Sequence, residues 1–150
     1  MRVKKLLIAL LFASLAVLPC FSQTKSTQHE QIQSHISLAQ KYLSEGKPEL
    51  ALPELKAIVA LDPKNVDARG NLGVLLFFQR QYAQAVPQLH AALKLHPGLW
   101  KIQALLGLAE TQLGKEDEGR MDLATAFPHI QDEKIKSAIS TALRRSSRPC

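Results

Sequence analysis

The chain has 150 residues, of which 46% are hydrophobic and 21% charged, a composition typical of a folded domain rather than a disordered segment. Three basic residues lie among the first five and supply half of the formal net charge of +6, and residues 23–150 carry 16 basic and 13 acidic side chains. The body of the chain is therefore close to neutral. We expect no nucleic-acid partner, because such partners require an extended basic surface.

The first 22 residues have the pattern of a secretory signal peptide. A basic start (residues 1–5) precedes an apolar stretch (residues 6–18), and residues 19–22 supply a helix breaker and small residues for cleavage after Ser22. The apolar stretch spans only about 20 Å as a helix, less than the roughly 30 Å hydrocarbon core of a bilayer. We therefore expect an exported protein, periplasmic or extracellular, with no stable membrane span after cleavage.

The two cysteines do not predict a disulfide. If Cys20 leaves with the signal, Cys150 is the one remaining thiol and cannot form an internal bridge. No histidine or carboxylate lies near Cys150 in the sequence, so we expect an unreactive tail thiol. A competing interpretation is lipid attachment to Cys20. Pro19 disfavours it, because a lipoprotein signal has a small residue before its cysteine.

A repeat of 34 residues runs through most of the remaining chain. Leu-Ala or Leu-Gly pairs begin at Leu38, Leu72 and Leu106, and residues 51–55 match residues 85–89 almost throughout. Each unit contains two amphipathic runs of helical length, so the repeat predicts an all-α stack of helical hairpins. Other positions at the same offset are Gly46 with Arg80 and Gly114, Ala51 with Ala85 and Gly119, Leu55 with Leu89 and Leu123, and Pro63 with Pro97.

The shared positions resemble those of the tetratricopeptide repeat. That resemblance implies an α-solenoid of about three helix-turn-helix units, with repeat 1 over residues 32–65, repeat 2 over residues 66–99 and a degenerate repeat 3 over residues 100–130. Repeat 3 departs from the pattern because Glu110 occupies a position that is usually aromatic and Pro128 comes three residues early. The matching residues are Leu38, Ala39, Tyr42, Gly46, Ala51, Leu55 and Pro63 in repeat 1; Leu72, Gly73, Ala85, Leu89, Ala92 and Pro97 in repeat 2; and Leu106, Gly107, Gly114, Leu123 and Ala126 in repeat 3.

Glycine and proline predict local features of the helices. Gly46 and Gly114 fit the corner between paired helices, where a positive φ is cheap for glycine. Pro53 and Pro87 are expected in the first turn of the second helices, where amide donors have no intrahelical partner. Small residues at the Leu-Ala and Leu-Gly pairs are expected to let paired helices approach closely.

Three further segments flank the repeats. Residues 23–31 are polar and are predicted to be a linker, and residues 146–150 are predicted to be a tail. Residues 131–145 are predicted to form a capping helix, because a solenoid needs a cover for its last apolar face. The apolar stripe of this helix consists of Ile135, Ala138, Ile139 and Ala142.

The sequence contains no motif for catalysis, phosphate binding or metal coordination, so we expect no enzyme activity, no cofactor and no metal. We interpret His35 as a packing or edge residue rather than a metal ligand. The acidic run of residues 116–118 is interpreted as favourable charge at the start of a helix, not as a cation site.

The resemblance also implies where a partner binds, because the first helices of such repeats line a concave surface. One branch of the family clamps a peptide's terminal carboxylate through five positions; Asn71 and Lys101 match two of them, but Leu105 replaces the arginine, so we expect no such clamp. An alternative for Phe77 and Phe78 is packing against the next repeat. The candidate partner-binding residues are Ile36, Gln40, Leu43, Asp67, Val74, Phe77, Phe78, Lys101 and Leu108.

These observations predict a non-catalytic adaptor of the secretory or envelope compartment that binds a protein or peptide in an apolar groove. Two alternatives stay open. One is an accessory repeat domain, or a fragment, of a larger envelope enzyme or assembly machine. The other is a structural protein that stacks end to end.

Overall fold

The computed structural model describes residues 20–146, and this part of the chain contains helices and no strand. The predicted all-α fold is thereby confirmed. A short 3₁₀ turn, Phe127–His129, lies between the sixth and seventh helices. The helices are α1 (Cys20–Ser44), α2 (Pro48–Leu61), α3 (Val66–Phe78), α4 (Tyr82–Leu95), α5 (Trp100–Gln112), α6 (Glu116–Ala126) and α7 (Glu133–Ser146).

The helices pair as three antiparallel hairpins that stack in chain order. Helix α1 packs on α2, α3 on α4, and α5 on α6, while α2 contacts α3 and α4 contacts α5. Helix α7 packs on α6 and α5 at the end of the stack. Because one hairpin buries only part of its apolar surface, each depends on its neighbours for a complete core.

Helix α1 begins earlier than the sequence predicts. It includes residues 23–31, which we expected to be a polar linker. No proline or glycine interrupts this segment, and the Gln28 side chain donates a hydrogen bond of 2.7 Å to the carbonyl of Leu61 at the end of α2. Residues 27–31 are exposed, so their polarity reflects the outer surface of a helix rather than a linker. Apart from residues 20–22, the predicted signal peptide lies outside the described residues, as does the tail beyond Ser146.

The three hairpin corners have the same backbone conformation. Gly46 and Gly114 have φ of 69° and 78°, as the sequence predicts for glycine, and Arg80 takes the equivalent position with φ of 60°. At each corner the next residue's N–H donates to the carbonyl at the repeat position shared by Tyr42, Leu76 and Glu110, at 2.8–2.9 Å. Arg80 thus adopts a left-handed conformation that costs a side chain more than it costs glycine.

Close approach between paired helices requires the small residues predicted from the sequence. A Cβ atom added to Gly73 would lie 2.6 Å from Leu89 Cδ2. One added to Gly107 would lie 2.7 Å from the Gly119 carbonyl oxygen and 2.9 Å from Leu123 Cγ. Repeat 3 is therefore packed backbone to backbone at this crossing.

The prediction that Pro53 and Pro87 lie in the first turn of their helices is wrong. Pro53 and Pro87 are each the sixth residue of their helices, α2 and α4, and so lie beyond the first turn. Each leaves the carbonyl four residues earlier without an amide donor. Both prolines are exposed, so water can bond to that carbonyl and the helices continue through them.

One polar contact recurs between the two helices of every hairpin, always with partners 19 residues apart. His35 Nδ1 lies 2.6 Å from Glu54 Oε2 in the first hairpin. Arg69 donates to Gln88 at 3.0 Å in the second, and Gln103 donates to Asp122 at 3.2 Å in the third. The three contacts lie at equivalent repeat positions but join different side chains, so each hairpin is aligned by its own polar pair.

The core consists of two clusters of buried residues. The first extends from α1 to α5 and is centred on Leu55, Ile58, Leu72 and Leu89. The second joins Ala104 of α5 to Leu123 and Ala126 of α6, to Ile130, and to Ile139 of α7. Ile139 is fully buried, so α7 covers the last hairpin at the segment for which a capping helix is predicted.

Helix α6 is shorter than its counterpart α4, with 11 residues rather than 14. Pro128, which comes three residues early in the repeat, lies in the 3₁₀ turn that follows α6. The turn is held by the His129 ring, which stacks on the Trp100 ring with centroids 3.8 Å apart.

Candidate functional site: the first-helix groove

The first helices of the hairpins form one surface, which we call the first-helix groove and define as the exposed side of α1, α3 and α5. Helix α3 contacts α5 directly, and a Cβ atom at Gly70 would lie 3.7 Å from Ile102 Cδ1. Gly70 thus lies at the contact between α3 and α5, where a methyl group would just fit. Residues of α1 and α3 line opposite sides of one cavity.

The cavity between α1 and α3 has a volume of about 140 Å³ and an apolar floor. Leu55 and Ile58 of α2 form that floor and are buried. Four of the nine candidate residues line its walls and edge: Ile36, Gln40, Leu43 and Asp67. Asn65, Asn71, Ala39 and Ala68 complete the lining.

The middle of the groove is aromatic. Val74 and Phe77 are half-buried against the first core cluster, and the Phe77 ring meets the Tyr82 ring edge-to-face with centroids 5.5 Å apart. Phe78 makes a similar contact with Phe77 but is 72% exposed. The alternative of packing therefore describes Phe77 better than Phe78, which is available to a partner.

The last two candidate residues lie apart from this cavity. Leu108 is half-buried against the second core cluster. Lys101 is exposed and lines a separate cavity of about 410 Å³ beside the stacked Trp100 and His129 rings. The structure thus brings Ile36, Gln40, Leu43 and Asp67 to one cavity, packs Val74 and Phe77 against the first core cluster beside it, and separates the two candidates of repeat 3.

The groove is suited to binding rather than to bond chemistry. The floor of the small cavity is hydrocarbon, and its lining also carries three amides and a carboxylate, from Gln40, Asn65, Asn71 and Asp67. Such an arrangement can desolvate an apolar side chain while hydrogen bonds fix the orientation of its backbone. Leu105, at the position of the clamp arginine, is partly buried against the first cluster.

A second surface, not predicted from the sequence, lies on the other side of repeat 3. Glu110 is only 8% exposed and its Oε2 has no hydrogen-bond partner in the described part of the chain. Burial, a hydrogen bond with Asp122 and the negative charge of Asp122 raise the pKa of Glu110 to about 7. That hydrogen bond requires a proton on one of the two carboxyls. The departure of Glu110 from the repeat pattern was the only sequence signal for it.

Among the described residues, no three histidine, cysteine or acidic side chains converge closely enough to hold a metal ion. Within residues 20–146, no helix has the length and apolar content to span a bilayer.

The fold and the groove together define an α-solenoid of helical hairpins. Two tetratricopeptide repeat family models match residues 42–86 and residues 74–132, and together they cover more than half of the chain. The chain belongs to the tetratricopeptide repeat family. No curated protein sequence matches it.

Several solved structures share this fold. The second tetratricopeptide repeat domain of human RPAP3, in complex with an HSP70 peptide, is 24% identical with a TM-score of 0.66, over 81% of this chain and 99% of that one. YrrB, described as having an unusual peptide-binding site, is 20% identical with a TM-score of 0.63, over 73% and 57%. The Thermobaculum terrenum O-GlcNAc transferase is 23% identical with a TM-score of 0.67, over 80% and 23%.

Proposed function

We propose that this chain is a non-catalytic scaffold that binds a segment of a partner protein in the first-helix groove. The observation that carries the proposal is the cavity of about 140 Å³ between α1 and α3, which joins an apolar floor to a polar edge. Interfaces of this kind concentrate their binding energy in a few apolar anchors that enter such cavities.

The proposed partner segment is an amphipathic helix or an extended peptide. One apolar side chain would enter the cavity against Leu55 and Ile58, and its neighbours would contact the exposed Phe78 ring. Gln40, Asp67 and Asn71 would hydrogen-bond the polar groups of the segment. We do not propose recognition of a terminal carboxylate, because Leu105 offers no positive charge.

Similar structures support a peptide partner. The RPAP3 domain is solved with an HSP70 peptide, and YrrB is described by its peptide-binding site. Both are under 25% identical to this chain, so their partners are not transferred. What the likeness supports is the use of the same fold for holding a peptide.

We also propose that the protein is exported, with cleavage after Ser22. The basis is the basic start, the short apolar stretch and the small residues of the first 22 positions. Mass spectrometry of the mature N-terminus, together with fractionation of the cells, tests this. A mature chain that begins at Gln23 supports the proposal, and one that keeps residue 1 contradicts it.

Two matched variants test the groove. Leu43 is 38% exposed at the cavity and Leu50 is 44% exposed on α2, outside the groove. Leu43→Glu introduces a charge at the apolar wall and is expected to weaken partner capture at least tenfold. Leu50→Glu makes the same chemical change elsewhere and is expected to leave capture unchanged.

The experiment uses affinity capture from whole-cell and envelope fractions, followed by mass spectrometry and then binding measurements with the purified partner. Circular dichroism checks that both variants keep the helical content of the wild type. If Leu43→Glu and Leu50→Glu capture the partner as well as the wild type does, the groove is not the binding surface.

A second candidate function is that of an accessory repeat domain attached to an enzyme. The similarity to the O-GlcNAc transferase favours it, because this chain matches only 23% of the length of that enzyme, as an accessory domain would. A longer reading frame that encodes a second domain would support this candidate.

A further inference from the structure

The outer side of the solenoid carries a groove between successive second helices, and this groove occurs twice. In repeat 2 it lies between α2 and α4 and has a volume of about 420 Å³. In repeat 3 it lies between α4 and α6 and has a volume of about 490 Å³. We call the second one the repeat-3 outer groove. The two grooves are formed by equivalent positions 34 residues apart, so their differences arise from side chains alone.

Those side chains change from neutral to acidic. Leu76, Gln84 and Gln88 line the groove of repeat 2. At the same positions in the repeat-3 outer groove stand Glu110, Glu118 and Asp122. Three carboxyl groups therefore replace one aliphatic and two amide side chains on a surface that is otherwise repeated.

Glu110 is the group that points to a ligand. It is 8% exposed, its Oε2 is buried and unpartnered within the described part of the chain, and it lines the groove. A buried carboxylate without a donor is unfavourable, whereas Leu76 at the equivalent position is a stable core residue. A donor that enters the groove from a partner would satisfy Oε2 and recover this cost.

The charges around Glu110 do not supply that donor. His90 and Lys94 line the groove from α4, and Lys115 precedes α6, yet none of them contacts Oε2. On its own helix, Gln103 donates to Asp122 Oδ1 at 3.2 Å and so is already engaged. From α6, Glu118 and Asp122 add negative charge. Lys115 lowers the pKa of Glu110 through its charge but gives no hydrogen bond to Oε2, so this oxygen is left without a donor among the described residues.

Part of the groove wall is apolar and can pack against the stem of a long basic side chain. Leu93 and Leu106 line it from α4 and α5. Met121 lies at the edge and is 70% exposed, where repeat 2 has Pro87. An arginine or lysine stem can pack along such a wall while its charged end reaches a buried acid.

We propose that the repeat-3 outer groove binds an arginine side chain of a partner polypeptide, with its stem against Leu93 and Met121 and its guanidinium bonded to Glu110 Oε2 and Asp122. Arginine is favoured over lysine because its planar fork can bond two carboxylates at once. Burial and the neighbouring Asp122 raise the pKa of Glu110, and a bound guanidinium would favour its ionised form and so lower that pKa.

The test uses N-acetyl-arginine amide as the probe and N-acetyl-citrulline amide, which has the same shape without the charge, as its control. Titrations at pH 8 and low salt follow the side-chain carboxyl carbons of the full chain by NMR. We expect a saturable shift of the Glu110 and Asp122 signals with the arginine probe and at least tenfold weaker binding of the citrulline probe. The bound probe is also expected to lower the pKa of Glu110.

Variants distinguish the groove from non-specific attraction. Glu110→Leu restores the residue type found at the repeat-2 position and is expected to abolish the probe-induced shift at Asp122. Glu110→Gln is expected to weaken the probe at least fivefold, while Glu116→Gln, at an exposed acid outside the groove, leaves it unchanged.

Equal binding of the arginine and citrulline probes, or a Glu110→Leu chain that binds the arginine probe as the wild type does, would overturn the proposal. Leu43→Glu in the first-helix groove is expected to leave the probe unaffected. The result is therefore independent of whether a partner binds in the first-helix groove.

Discussion

Glu110 is a buried acidic residue whose ionisation destabilises the folded state. Burial and, next, the neighbouring Asp122 raise its pKa to about 7 from an ordinary value of 4.5, so the folded state holds a proton that the unfolded state releases between these pH values. Stability therefore falls as the pH rises from about 4.5 to about 7. It is not recovered at higher pH, because both states are then ionised at this position.

The first prediction concerns this pH dependence. Glu110→Leu removes the carboxyl and is expected to increase the free energy of unfolding at pH 8 by about 2–4 kcal/mol, and by less at pH 5. Urea denaturation at both pH values measures the difference. Glu116→Gln serves as the exposed control and is expected to change stability by less than about 0.5 kcal/mol. A gain for Glu110→Leu of the same size at both pH values would contradict the assigned pKa.

Arg80 supports a second prediction. Its φ of 60° is the conformation that Gly46 and Gly114 adopt at the equivalent corners. Arg80→Gly is expected to raise the free energy of unfolding by about 0.5–1 kcal/mol, since relief of the left-handed strain exceeds the entropy that glycine adds to the unfolded chain. Gly114→Arg, the reverse change, is expected to lower it. Denaturant titration of both variants decides whether the corners are equivalent.

The sequence predicted the two glycine corners because glycine reports directly on positive φ. It did not predict the contact of His35 with Glu54, since residues 19 apart meet only after two helices have folded back on each other. The deviation at Glu110 was visible in the repeat, but its buried oxygen and its neighbour Asp122 depend on tertiary packing.

Gly107 and Gly119 bring the backbones of α5 and α6 into close contact. Gly107→Ala would place a Cβ atom 2.7 Å from the Gly119 carbonyl oxygen, which cannot move without displacing α6. We expect a loss of about 1–3 kcal/mol of stability, measured by denaturant titration. Gly98→Ala is the control, because its Cβ would meet nothing closer than 3.6 Å. A loss no greater than that of Gly98→Ala would show that the crossing is not closely packed.

Helix positions followed from the repeat period more reliably than helix ends did. The period placed all three hairpins, and the early Pro128 matches the shorter α6. The predicted start of α1 was wrong because the polar residues 23–31 were taken to indicate a linker, whereas they are helical and Gln28 donates a hydrogen bond to Leu61 of α2. The prolines were misplaced because α2 begins at Pro48 and α4 at Tyr82, five residues before Pro53 and Pro87.

At the scale of the whole molecule, the two core clusters predict separable local stability. Ile58 belongs to the first cluster and Ile139 to the second, and both are almost fully buried. Replacing either with alanine is expected to cost about 2–4 kcal/mol. In a stack of repeats such a loss is felt mainly by the nearest neighbours.

Hydrogen exchange measures this difference along the chain. Ile139→Ala is expected to accelerate exchange in α5, α6 and α7 while α2 and α3 keep their protection. Ile58→Ala is expected to act mainly on α1, α2 and α3. Uniform acceleration by both variants would mean that the solenoid opens as one unit.

The candidate binding site could be predicted in part for a physical reason. Helical periodicity specifies which face of a helix a residue occupies, and this brought Ile36, Gln40, Leu43 and Asp67 to one cavity. It does not specify how successive repeats are spaced. That spacing determines that Lys101 borders a different cavity.

Helix α5 is shared by the two core clusters, with Leu106 in the first and Ala104 in the second. If force is applied to its two ends, such a molecule would unfold in steps, because α7 and α6 can detach while α5 remains packed on α4. The contact of α5 with the first core cluster would then keep the first two hairpins folded until a higher force is applied.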